Sequence, residues 1–333
     1  MILNAWSIII IFMGVLSLLL VIWGGISSII LYKRWGRSFT QEEKVELENR
    51  SYLVLLIIAV VLLMRLVNWP LFYVTFQSFI PDIEGAMCIF GVTQVRPGLT
   101  RFLEFLKPIV FFLIGGWLIL NRLDRTTKTS PLMRKKLLFL SVICLFVLVD
   151  SLGDICLILG IAPESLVSCC TTVTDISNRP TRTTPLSLFG PEFSRPLQGL
   201  FFVTHLALLG FIGVSLKFKV FRRPILGLLF LLSILNVALF LLAQVEVFAP
   251  GMMHLPFHHC LYCLWQYVPD SIFLFGFFSL GTFSVGWGFT TELFGRKGEA
   301  ASLLPVYLRR IYSVAFFFLS ASFIMLIVRL LID

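Results

Sequence analysis

Three of the four histidines and a Cys-x-x-Cys fall within ten residues: His254, His258, His259, Cys260 and Cys263. Two thiols at that spacing suit thiol–disulfide exchange, because the motif activates its first thiol and the second resolves the mixed disulfide. Cys260 is then the attacking thiol and Cys263 the resolving one. Imidazole beside thiolate equally suits zinc or copper, which makes His254, His258 and His259 candidate metal ligands, with haem ligation a further use. Structural disulfides tying loops together are the plainest alternative.

Three more cysteines lie in comparable settings. Ile80-Pro81 is followed by Cys88, and Ala162-Pro163 by Cys169 and Cys170, while Ala249-Pro250 precedes Cys260. The text after the first two sites is alike, Cys88-Ile-Phe-Gly-Val92-Thr93 against Cys169-Cys-Thr-Thr-Val173-Thr174, and an Arg-Pro follows each, at Arg96-Pro97 and Arg195-Pro196. This suggests a repeated helical hairpin. Five cysteines cannot all pair within one chain, so at least one has another role. Cys88, Cys169 and Cys170 are therefore candidate relay thiols for the Cys260/Cys263 pair.

The segment Cys260-Leu-Tyr-Cys263-Leu resembles the Cys-x-x-Cys of the vitamin K epoxide reductase family and related bacterial disulfide-generating membrane proteins, over about five residues of 333. That resemblance implies a quinone beside the pair and loop cysteines that pass electrons to it. Eight spans instead of four, and the histidines before the motif, depart from the family's pattern. A short interfacial helix over 257–267 is expected, with Leu261, Leu264, Trp265 and Val268 on its apolar side. Trp265, Tyr267 and His205 are the candidates for lining a cofactor, either a quinone or a transition metal.

Ionisable groups at membrane depth are expensive and make functional-site hypotheses by default. Arg65 and Asn68 fall within one apolar run, Asp150 and Asp154 within another one helical turn apart, and Glu246 near the end of a third. An Arg65–Asp150 pair is expected, either as packing glue or as part of an outward-opening polar chamber with Asp154 and His205 that handles protons or cations. Cys144 and Cys156 read as small hydrophobes.

The elements that must position these groups follow from composition. Hydrophobic residues make up 58% of the chain and charged ones 14%, against roughly 25% charged in an average globular domain. The mean hydropathy of +0.95 excludes a soluble domain. The expected fold is all-α, a single transmembrane domain over 1–333 with eight spans near 5–32, 51–80, 103–121, 137–162, 198–218, 224–248, 270–292 and 311–331. Alternate loops hold 19 of the 27 Lys and Arg residues, so the net charge of +9 is an orientation signal and not a nucleic-acid footprint. Both termini and the cysteine loops, 81–101, 163–197 and 249–269, are then expected outside an inner, cytoplasmic membrane. Expected partners are membrane lipid and an outside thiol protein or other membrane subunits. No phosphate-binding G-x-x-x-x-G-K-[ST] occurs, which argues against an ATP-driven pump.

Overall fold

A computed structural model describes residues 4–35, 41–162, 165–167, 193–255 and 258–332. Eight helices are long and apolar enough to cross a membrane. They are α1 (Ala5–Arg34), α2 (Gln41–Phe79), α4 (Pro97–Arg125), α5 (Met133–Gly160), α6 (Ser194–Phe218), α7 (Arg223–Ala243), α10 (Ser271–Gly295) and α11 (Ala300–Ile332). Three short helices accompany them: α3 (Ile89–Thr93), α8 (Ala249–Met252) and α9 (Leu261–Tyr267). No strand occurs among the described residues. Large apolar side chains such as Phe105, Leu145 and Phe317 are exposed, as a lipid-facing surface requires.

Two helices begin about ten residues before the hydropathy of the chain rises. The charged lead-in of α2 remains helical because Glu42 and Glu43 complement its N-terminal dipole and Arg50 pairs with Glu46 one turn away at 2.5 Å. Apolarity marks the membrane core, whereas helix ends follow capping and backbone hydrogen bonding.

The helices fall into two compact units. The first is built on α1, α2, α4 and α5. The buried residues of α1 are Ser7, Ile10, Gly14, Ser17, Val21, Gly24, Ser28 and Leu31, alternating three and four apart. This is a heptad seam made mostly of small residues, which lets backbones approach where no hydrophobic effect drives helices together. A Cβ on Gly24 would lie 2.1 Å from Ile58 Cδ1 of α2. Ser28 Oγ donates to the Leu137 carbonyl of α5 at 2.7 Å, and Asn4, which caps α1, donates from Nδ2 to Ser78 Oγ at 2.8 Å.

The second unit is built on α6, α7, α10 and α11, with α8, α9 and the segment Met87–Gly91. Gly281 and Gly288 of α10 face Leu319 and Tyr312 of α11 so closely that a Cβ would fall within 2.6 Å of either side chain. A Cβ on Gly276 of the same helix would meet nothing within 4 Å, so that glycine is not required by close packing. Phe240 of α7 stacks on Phe278 of α10 at 3.7 Å between ring centroids.

Candidate functional site

The end of α7 sets up the cysteine region. Pro250 has no N–H to give the Glu246 carbonyl, and the chain passes through one π turn, Gln244–Phe248, before α8. Ala249 N–H consequently bonds the Gln244 carbonyl instead of that of Val245. The released Val245 carbonyl is taken by His259 Nδ1 at 2.8 Å. A carbonyl only accepts, so the proton of this imidazole sits on Nδ1. His259 thereby holds the chain just ahead of Cys260 against the end of α7.

His254 has a different task. It stands at φ +55 just past Met253, the C-cap of α8, its N–H bonding the Gly251 carbonyl, while Leu255 N–H reaches back to the Pro250 carbonyl. That is a Schellman closure with histidine at the position glycine usually fills. His254 is exposed, whereas His258 and His259 are buried.

Cys260 ends the resulting loop and precedes α9, which carries Cys263 on its buried side together with Leu264. Trp265 is half-buried and meets Tyr262 and Phe275 edge to face, while Tyr267 is exposed. The sulfur of Cys88, from the segment ahead of α3, lies beside this pair. Cys263 Sγ donates to Cys88 Sγ at 3.5 Å. The three sulfurs of Cys88, Cys260 and Cys263 lie within 4.8 Å of one another, and none of these residues is more than 6% exposed. Among the described residues no disulfide is formed. The histidines are not members of this close grouping. Cys169 and Cys170 lie outside the described residues.

The intramembrane charges form a separate cluster in the first unit. Arg65 Nη2 donates to Asp150 Oδ2 and, at 2.9 Å, to Asp154 Oδ2. Lys107 Nζ closes the other side, 3.1 Å from Asp150 Oδ1 and 2.6 Å from Asp154 Oδ1. Asn68 Nδ2 adds a bond to Asp154 Oδ2 at 2.7 Å. Two cations and two anions alternate, so the cluster is electrically balanced, and Lys107 Nζ also sits 4.6 Å from the Phe72 ring centroid. Every charged side chain in it is at most 3% exposed. The expected Arg65–Asp150 pair is half of this arrangement. Lys107 escaped the sequence reading although the signal was there, a lysine five residues into an apolar span.

A second buried pair joins α4 and α5. Lys136 Nζ lies 2.6 Å from Asp124 Oδ2 and bonds Asn121 Oδ1, while Asp124 Oδ1 accepts from Leu132 N–H at 2.8 Å. Lys136 is one of the 19 basic residues in the alternate loops, whose charge reads as an orientation signal. Its side chain is 1% exposed, so it is also a packing element.

His205 belongs to the second unit. Its Nε2 donates to the Leu319 carbonyl at 3.3 Å and its Nδ1 accepts from Asn236 Nδ2 at 3.1 Å, with Phe323 stacked on it at 4.8 Å. Both ring nitrogens are used by neighbouring helices, which is the arrangement of a structural histidine. Glu246 lies half-buried in the π turn, Cys144 is buried against α1 near Gly25, and Cys156 is exposed. Compared with models of known protein families, with curated proteins and with solved structures, the chain matches none of them.

Proposed function

We propose that this membrane protein performs thiol–disulfide redox chemistry through Cys88, Cys260 and Cys263. The observation that carries the reading is the convergence of a distant loop thiol on the Cys-x-x-Cys, with Cys88 Sγ 3.5 Å from Cys263 Sγ. Closing that gap to about 2.05 Å makes a disulfide. Loss of two protons and two electrons from the two thiols reduces one membrane carrier of the quinone class to its quinol. The Cys260 thiolate then attacks Cys263 Sγ, the Cys88–Cys263 bond breaks, and Cys88 leaves as thiolate with the disulfide moved to Cys260–Cys263.

Burial of Cys260 at 1% exposure keeps a bulky outside protein from reaching it directly. In this reading Cys169 and Cys170 carry electrons between the triad and an outside thiol protein. The cysteine loops then face the oxidising side of the membrane, opposite the basic loops.

The test uses reduced protein in lipid nanodiscs, mixed anaerobically with a soluble short-chain quinone while thiols and quinol are counted. The reading expects one quinol formed per two thiols lost, and no such turnover in Cys263→Ser. Thiols that stay reduced under excess quinone and under a stronger disulfide oxidant would overturn it.

A further inference from the structure

We infer that Cys88, Cys260 and Cys263 together form a three-sulfur site for a soft monovalent d10 cation, copper(I), and that this site exists only while the thiols are reduced. The inference goes beyond redox turnover and uses a different ligand set from the histidine-containing one expected from the sequence.

The geometry sets the coordination number. With metal–sulfur bonds of about 2.3 Å, a trigonal MS3 centre has its sulfurs about 4 Å apart. The observed sulfurs are compatible with that value, one pair at 3.5 Å and none more than 4.8 Å apart. A bound ion therefore needs adjustments of only some tenths of an ångström. No imidazole or carboxylate shares this grouping among the described residues. Zinc almost always takes four ligands in a closed site, whereas soft thiolate sets select copper(I).

The surroundings select the same ion. Cys88, Cys260 and Cys263 are 2%, 1% and 6% exposed, so the centre is shielded from water as a fourth ligand and from aqueous oxidants. His259, the nearest histidine in sequence, stands outside the sulfur grouping, and its Nδ1 bond to the Val245 carbonyl anchors the loop. His254 is exposed and closes the turn after α8.

Binding exchanges thiol protons for the ion and releases them. Oxidation of Cys88 and Cys263 to a disulfide removes two of the three ligands, with the two electrons and two protons passing to the quinone-class acceptor. Metal loading and disulfide formation are then mutually exclusive states of one site.

The experiment titrates the purified, fully reduced chain with copper(I) anaerobically, in competition with a chromophoric copper(I) chelator, and records X-ray absorption on the loaded protein. The expected result is one ion per chain, three sulfur neighbours and no nitrogen neighbour. Cys88→Ser, Cys260→Ser and Cys263→Ser should each weaken binding at least about 100-fold, while His254→Ala and His258→Ala stay within about threefold. Cys88 and Cys263 in the loaded protein should also resist oxidation.

Nitrogen ligation, unchanged affinity in Cys88→Ser, or no stoichiometric copper in the wild type would each overturn the proposal. The spectrum of the wild type keeps the test decisive if a serine variant fails to fold. Because titration involves no turnover, copper binding by a chain whose thiols never reduce quinone would sink the redox reading and support this one. Redox turnover in a chain that binds no copper would do the reverse.

Discussion

Cys88 and Cys263 place their sulfurs 3.5 Å apart although 175 positions separate them in the chain. A loop ahead of α3 and the buried side of α9 are thereby brought to one point. Neither element is long enough to be stable alone. On the Cys260/Cys263 side, the His259 bond to the Val245 carbonyl ties the loop before α9 to the end of α7.

Removing the attacking thiol should trap the neighbouring pair. In Cys260→Ser the Cys88–Cys263 disulfide lacks its internal nucleophile, so its reduction by a small added thiol should slow by roughly tenfold, on the logic that exchange proceeds only through attack by a thiolate. A gel-shift time course after quenching with a maleimide reads this out. An unchanged rate would show that Cys260 takes no part in exchange.

The anchor at the π turn makes its own prediction. His259→Ala removes the bond to the Val245 carbonyl, a loss of about 1 kcal/mol, and releases the segment before Cys260. Alkylation of Cys260 by iodoacetamide should accelerate several-fold with no change in helix content by circular dichroism. Equal alkylation rates in variant and wild type would mean that the bond does not restrain the loop.

The balanced charge cluster should tolerate paired changes better than single ones. Lys107→Met or Asp150→Asn alone leaves an uncompensated buried charge and should cost about 3–5 kcal/mol. The double variant restores neutrality and should lose less than the sum of the two by about 0.5–3 kcal/mol. Denaturation in mixed micelles measures all three. Strict additivity would contradict the four-charge arrangement of Arg65, Lys107, Asp150 and Asp154.

The seam of α1 is testable in the same way. Gly24→Ala drives a methyl into Ile58 and should cost about 1–3 kcal/mol. Ile58→Ala opens that space, so the Gly24→Ala, Ile58→Ala double variant should be more stable than the two separate losses imply. If Gly24→Ala is neutral, α1 and α2 are not held at this contact.

The eight spans were legible because membrane depth imposes a length of apolar residues that few other constraints imitate. Of the described residues in the short helix expected over 257–267, only Leu261–Tyr267 are helical, because residues 258–260 form the loop ahead of it, while Leu264 and Val268 are buried as the periodicity demands. The Cys-x-x-Cys identified itself as a candidate, and Cys88, Cys169 and Cys170 as its candidate relay thiols, but which of the three lies against it was not legible. Cys88 is joined to it by tertiary packing, and one sequence without covariation carries no record of such contacts. The π turn was hidden too, since Ala249-Pro250 announces a helix irregularity without saying which carbonyl is released. Lys107 is the opposite case, visible in the sequence as a charge inside a span, although only packing shows that it closes the cluster on Asp150 and Asp154. Lys136 shows why charge position alone misleads, since a lysine in a basic cluster is as well placed for Asp124 as for water.

The most direct test of the account is peptide mapping of the purified chain after brief anaerobic oxidation and rapid alkylation. Disulfide-linked peptides joining Cys88 to Cys263 are expected, with a Cys260–Cys263 form in exchange with them, both lost on reduction and regained on reoxidation. Complete recovery of Cys88, Cys260 and Cys263 as alkylated thiols after oxidation, or cross-links that never revert, would contradict it.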